Sequence, residues 1–192
     1  MTKSDILAAA LVGGYPAGFR IALKLVLDWE CELNHVTGEI EWENVEHDSG
    51  GATFAGLLAK PVYEGGDNLS ADPTPREIVS IYYQNYWQKL SGLPVLVQET
   101  AFFMGVNIGI GAVIKYLQLA LNDYGAKLVT DCKLGDQTRM AAFANPDPDG
   151  LCMAMLAKIR RHYDDIVAEN PSQSVFLPGW KNRLDAAKSL LT

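Results

Sequence analysis

Apolar side chains recur at helical spacing from residue 18 to residue 33, and residues 19–32 hold neither proline nor glycine, so the first long element predicted is an amphipathic helix. The pattern then breaks. Thr37-Gly38 marks a turn, Glu39-Ile40-Glu41-Trp42-Glu43 alternates polar and apolar, and Asp48-Ser49-Gly50-Gly51 marks a second turn. Together they predict a small hairpin and a tight glycine loop. After an irregular stretch over 64–72, Thr74-Pro75-Arg76-Glu77 offers a capping threonine, a proline fit for the first turn and a capping-box glutamate. A helix is expected from 75 to about 90. Gly92-Leu93-Pro94 interrupts it, and residues 95–105 and 112–121 read as two further helices, apolar enough to be a mostly buried pair. Gly135-Asp136-Gln137-Thr138 starts another helix. Asn145-Pro146-Asp147-Pro148-Asp149-Gly150 is a loop in which Asp149 is the expected cap of a helix reaching about 168, and a last short helix lies beyond Gly179. The fold class predicted is mainly α, with a small β-hairpin inserted after the first long helix.

Composition and charge narrow the function classes. The chain has 192 residues, 48% of them hydrophobic, enough to build a core in one compact domain or two small lobes. The apolar run over 6–12 is far short of the ~20 residues of a membrane span, so it reads as a short packed helix and an integral membrane protein is not expected. Gly13-Gly14-Tyr15-Pro16 lacks the small-x-small pattern of a signal-peptide cleavage site. Cys31, Cys132 and Cys152 are odd in number and have no CxxC spacing, which argues against a disulfide framework or a zinc site. His35, His47 and His162 are too scattered to predict a metal site of any kind. A net charge of -7 and a pI near 4.9 speak against nucleic acid as a partner.

The candidate chemistry begins with one carboxylate out of pattern. At about 100° per residue, Arg20, Lys24, Asp28 and Glu32 share one solvent-facing strip of the first helix. Glu30 falls elsewhere, at i+4 from Val26, i+3 from Leu27 and i+7 from Leu23, within the apolar strip. Desolvation favours the neutral form of a carboxyl group, which is what a general acid needs near neutral pH. The alternative is a residue in the last helical turn that simply reaches solvent or an arginine. His47-Asp48-Ser49-Gly50-Gly51-Ala52-Thr53 adds a second carboxylate and a hydroxyl on a glycine loop, where backbone can come close to a substrate. Asp48 is a candidate base, charge stabiliser or loop cap, and Thr53 a candidate holder of a water or a loop-bonding hydroxyl. Tyr82 with Tyr86, and Tyr83 with Trp87, stack at i,i+4. Aromatic stripes are usually core, but four rings and two amides within six residues exceed what packing requires, and Tyr86 and Trp87 are the candidate sugar-stacking residues. Asn107 is a candidate contact for an acetamido group, or a partner for buried backbone. Cys31 has no evident histidine partner and reads as a small buried side chain.

These residues carry a resemblance. Asp48-Ser49-Gly50-Gly51-Ala52-Thr53-Phe54-Ala55-Gly56 is similar to the Asp-x-Gly-Gly-x-Thr-x-x-Gly segment of glycoside hydrolase family 108, the N-acetylmuramidases that include phage endolysins and secretion-activator proteins. Glu30-Cys31-Glu32-Leu33 stands where that family has Glu-Gly-Gly-Tyr, and the link to Asp48 is longer by roughly the 36–44 hairpin. The likeness runs on through Tyr82-Tyr83-Gln84-Asn85-Tyr86-Trp87, Val106-Asn107-Ile108-Gly109, Leu117-Gln118-Leu119-Ala120-Leu121, Asp131-Cys132-Lys133-Leu134-Gly135-Asp136-Gln137-Thr138 and Gly179-Trp180-Lys181-Asn182-Arg183.

The resemblance implies a lysozyme-like fold with a catalytic lobe over residues 1–92 and a helical peptidoglycan-binding lobe over 93–192. It implies that Glu30 is the catalytic acid; the candidates read from the residues around it are Asp48 and Thr53 for catalysis and Gly51, Tyr86, Trp87 and Asn107 for substrate contact. The reaction implied is hydrolysis of the β-1,4 bond between N-acetylmuramic acid and N-acetylglucosamine in peptidoglycan glycan strands, by a monomer that needs no cofactor. Such an enzyme is made in the cytoplasm and reaches the periplasm or wall through a holin or another export route. A non-catalytic wall-binding or secretion-assisting protein and a lytic transglycosylase stay open as alternatives.

Overall fold

The computed structural model describes residues 1–43, 52–61 and 65–191, and divides into two compact units, Met1–Gln88 and Lys89–Thr192. The chain is mainly α. The N-terminal apolar run forms α1 (Lys3–Val12), entered through a capping box between Thr2 and Asp5. The predicted amphipathic helix is α2 (Ala17–Glu30), with Phe19, Leu23, Val26 and Leu27 fully buried. Its polar strip carries the Lys24–Asp28 ion pair at 2.8 Å.

Helix α2 stops at Glu30, earlier than its periodicity suggests. Cys31 turns extended (φ -98°, ψ 114°) while its N–H still bonds the Leu27 carbonyl at 3.3 Å. The chain then reverses through residues 34–38, fixed by the Asn34 side-chain oxygen accepting from the N–H groups of Val36 and Thr37, both at 2.9 Å. A single bridge, Leu33 to Ile40, closes this reversal. The strands that follow are β1 (Trp42–Glu43), β2 (Thr53–Phe54) and β3 (Leu57–Leu58), an antiparallel sheet in the order β1-β2-β3. The alternating segment therefore pairs both ways: Ile40 and Glu41 close back on residues 32–34 across the predicted turn, with Glu41 N–H on the Glu32 carbonyl at 3.3 Å, and Trp42 and Glu43 pair forward with β2, beyond the second predicted turn.

Between β2 and β3 the two loop residues Ala55 (φ 51°) and Gly56 (φ 74°) both have positive φ, as a type I′ hairpin turn demands. Helix α3 (Pro75–Ile81) begins with the predicted Thr74–Glu77 capping box. It widens into a π turn over Tyr82–Trp87 and tightens to a 3-10 turn at Gln88–Leu90. The widened turn sends the aromatics two ways. Tyr83 and Trp87 sit edge-on to Phe19 of α2, with centroids 5.1 and 5.5 Å away. Tyr82 and Tyr86 reach the β2–β3 region.

In the second unit α4 (Val95–Ile108) is buried on all sides from Val97 to Gly105, and it meets α5 (Ile110–Asp123) so closely that a Cβ on Gly105 would lie 2.8 Å from Ile110 Cδ1. Helices α6 (Asp136–Ala144), α7 (Pro148–Glu169) and α8 (Leu177–Lys188) follow. The cap of α7 is Asp147, not Asp149: its carboxylate accepts from Gly150 N–H at 2.9 Å, and Pro148 takes the first helical position, which needs no amide donor. Gln118 of α5 is 1% exposed and knits two motifs together. Its side-chain amide donates to Asp131, the Lys133 carbonyl and Thr138, and its oxygen accepts from Cys132 N–H. Trp180 stacks on Tyr163 at 4.9 Å and Arg183 lies over the Phe103 ring, which holds α8 in place. Among the described residues, no helix is long and apolar enough to cross a membrane.

Candidate active site

The buried stripe of α2 ends in an ionisable group. Glu30, half-buried, is the last residue of the helix and opens into a cleft of about 320 Å³ whose walls also include Glu32, Glu43, Thr53 and Gly56. Strand pairing places Thr53 of β2 directly opposite Glu43 of β1. Glu43 in turn ties the sheet to the end of α2, because its Oε1 accepts from the Glu32 N–H at 3.2 Å. The type I′ turn brings the Gly56 backbone against the Glu30 side chain.

Two tyrosines of the π turn support this wall from behind. The fully buried Tyr82 donates its hydroxyl to the Ala55 carbonyl at 2.6 Å. Tyr86 donates to Asp67 Oδ1 at 2.8 Å, and Asp67 Oδ2 accepts from Leu58 N–H at 3.0 Å. The β2–β3 hairpin is therefore clamped at its turn and on β3.

The cleft is rich in negative charge and its titration follows. Burial raises the Glu43 carboxyl above its ordinary range; the neighbouring Glu32 and Glu30 charges add to this, and the Glu32 N–H works against it. Burial also pushes the Cys31 thiol up to about 12, with the Glu30, Glu43 and Asp28 charges in the same direction and Lys3 opposing. Cys31 is thus a protonated, unreactive thiol beside the carboxylates, not a nucleophile.

The cleft brings together Glu30 and Thr53. Asp48 and Gly51 lie outside the described residues. Tyr86 is half-buried, with its hydroxyl on Asp67. Trp87, expected on a sugar-binding surface, is instead 5% exposed and packed against Phe19, because the π turn rotates it toward α2. Asn107 belongs to the second unit, where its side-chain oxygen accepts from the Tyr163 hydroxyl at 2.8 Å. Sequence reading missed Glu43, Gly56 and the Tyr86–Asp67 pair. Only Gly56 carried a local signal, as the last glycine of its motif.

Residues 24–109 match the family model described as Glycosyl hydrolase 108, and residues 112–185 match the one described as Predicted Peptidoglycan domain. Among solved structures, a chain titled "Structure of Brucella abortus SagA" superposes with a TM-score of 0.64 at 24% identity, covering 90% of this chain and 92% of that one. At that identity the likeness is one of fold. No curated protein matches the sequence.

Proposed function

We propose, from the premise that this chain is a glycosyl hydrolase 108 protein with a peptidoglycan-binding region, that it hydrolyses the β-1,4 bond between N-acetylmuramic acid and N-acetylglucosamine. Glu30 is the general acid. Its carboxyl proton passes to the glycosidic oxygen as the bond to the anomeric carbon breaks, and positive charge develops on the sugar. Thr53, on the facing strand, holds the water that attacks this carbon. Water placed in that way favours inversion at the anomeric centre. Asp48 is assigned as the second carboxylate, orienting that water or stabilising the charged sugar. Glu32 and Glu43 are left as the acidic surroundings.

The observation that carries the reading is the shared cleft: a carboxyl at the end of a buried helical stripe and a threonine hydroxyl on a clamped hairpin line one open cavity. The Glu30-Cys31-Glu32-Leu33 segment is compatible with it. Cys31, where the family has glycine, sits at φ -98°, a conformation that needs no glycine, and Glu32 is not among the residues with positive φ.

Purified protein acting on isolated wall sacs tests the proposal. Glu30→Gln is expected to slow clearing by about 10²- to 10⁴-fold, the usual loss of a general acid, whereas Glu32→Gln stays within about tenfold of wild type. Equal loss in both variants would move the acid away from Glu30.

A further inference from the structure

The cleft around Glu30 is polar on most sides. Glu30, Glu32 and Glu43 contribute carboxylates and Thr53 a hydroxyl, and no lysine or arginine stands among its described lining residues. A sugar ring also has an apolar face, which an aromatic ring covers best. Trp29 is the aromatic residue of the described lining. On α2 it lies at i+3 from Val26 and i+7 from Ala22, both fully buried, so the helix period assigns it to the core. It is nevertheless 36% exposed and borders the open cleft. Four other rings of this unit are committed elsewhere. Tyr82 and Tyr86 hold the β2–β3 hairpin, and Trp87 packs on Phe19. Trp42 pairs with Phe54 across β1 and β2, and side chains alternate along a strand, so it stands on the sheet face opposite to that of Glu43 and Thr53.

We infer, resting on the reading of this cleft as the hydrolase site, that Trp29 is the stacking platform for an N-acetylglucosamine unit beside the bond that Glu30 cleaves. Trp29 and Glu30 are consecutive, their Cα atoms about 3.8 Å apart, and both border the one cavity. A sugar seated on the indole is therefore a direct neighbour of the oxygen that takes the proton. Charge selects which sugar this is. N-acetylmuramic acid carries an acidic lactyl or peptide arm, which Glu32 and Glu43 repel at close range, whereas N-acetylglucosamine is neutral. Stacking needs only the flat apolar face of the ring, so it supplies affinity in a cleft where ionic contacts to an anionic strand cannot.

The test is calorimetric titration of the full chain with the N-acetylglucosamine tetramer, in a Glu30→Gln background that stops turnover, together with kcat and KM for soluble glycan in the otherwise native protein. Trp29→Leu keeps apolar bulk without a flat ring, and it is expected to weaken tetramer binding by about tenfold or more. In the active protein it should raise KM while kcat changes by less than about threefold, as the loss of an interaction shared by ground and transition states does. Trp29→Phe restores a ring and should bind within about threefold of the parent, a rescue that a purely structural role would not produce. Trp42→Ala, altered on the far face of the sheet, should bind as the parent does. If Trp29→Leu binds the tetramer as tightly as its parent, the platform assignment is overturned and the hydrolase reading stands. If wild type clears wall sacs but the Glu30→Gln protein does not bind the tetramer, the assignment to N-acetylglucosamine falls and the hydrolase reading again stands. A protein that neither clears sacs nor binds the tetramer contradicts both.

Discussion

Gly56 and Glu30 touch at the heart of the cleft: a Cβ placed on Gly56 would fall 2.5 Å from the Glu30 Cβ and 3.0 Å from both its Cγ and the Tyr82 hydroxyl. The same residue has φ 74° in the β2–β3 turn, so two separate constraints exclude a side chain there. Gly56→Ala should therefore cost about 1–3 kcal/mol of stability through backbone strain and crowding. It should also slow wall clearing by about 10²-fold, because the acid is displaced. Denaturant unfolding and a clearing assay on the folded fraction measure the two effects. Normal activity in Gly56→Ala would show that the Glu30 stem is not held by this contact.

Tyr86 and Asp67 form the outer clamp of the hairpin. Asp67 is 7% exposed, and Tyr86→Phe removes one of the donors to its carboxylate. The expected loss is about 1–3 kcal/mol, read as a lower urea midpoint at unchanged slope. A sugar-stacking role for the ring alone would leave that midpoint where it was.

For Trp87 the expectation is a core phenotype. Trp87→Ala should cost about 3–5 kcal/mol, and the fraction that remains folded should show a KM for soluble glycan close to that of wild type. A raised KM with unchanged stability would return the ring to the substrate surface.

Glu43 gives stability a dependence on pH. Because its folded-state pKa lies above the ordinary 4.5, the folded protein holds this proton more tightly than the unfolded chain does. Its contribution is fully present below pH 4.5 and is lost as pH rises through the folded-state value. Glu43→Gln keeps an oxygen for the Glu32 N–H and removes the ionisation. Wild type and variant should melt together near about pH 4, and the variant should melt higher near about pH 7. Thermal melts at both values decide this, and a wild type that gains on the variant as pH rises would contradict the burial of Glu43.

The thiols should divide by environment. Cys132 is exposed, whereas burial pushes Cys31 up to about 12 and Cys152 up to about 11. An aromatic disulfide reagent at neutral pH should label Cys132 rapidly and the other two only on unfolding. Rapid labelling of Cys31 would mean that the floor of the cleft is more open than described.

Local signals carried much of this architecture. The Thr74–Glu77 capping box set the start of α3, and the misplaced Glu30 on the apolar strip of α2 pointed to the cleft, because both are encoded within one or two helical turns. What depended on distant pairing was not legible. Glu43 enters the cleft only because β1 takes its register from Thr53, ten residues on. The π turn over Tyr82–Trp87 has no sequence signature of its own, yet it decides that Trp87 packs on Phe19 while Tyr86 reaches Asp67. The cap of α7 was misread for a simpler reason: two aspartates flank Pro148, and the proline's fixed φ and missing amide select the one before it.

The central claim is that Glu30 drives hydrolysis of the glycan backbone, and its most direct test is mass spectrometry of the fragments released from wall sacs in ¹⁸O-labelled water. Wild type should release fragments with reducing N-acetylmuramic acid ends that carry one label from solvent, and Glu30→Gln should release almost none. Unlabelled 1,6-anhydro ends, or labelled fragments released equally well by Glu30→Gln, would contradict it.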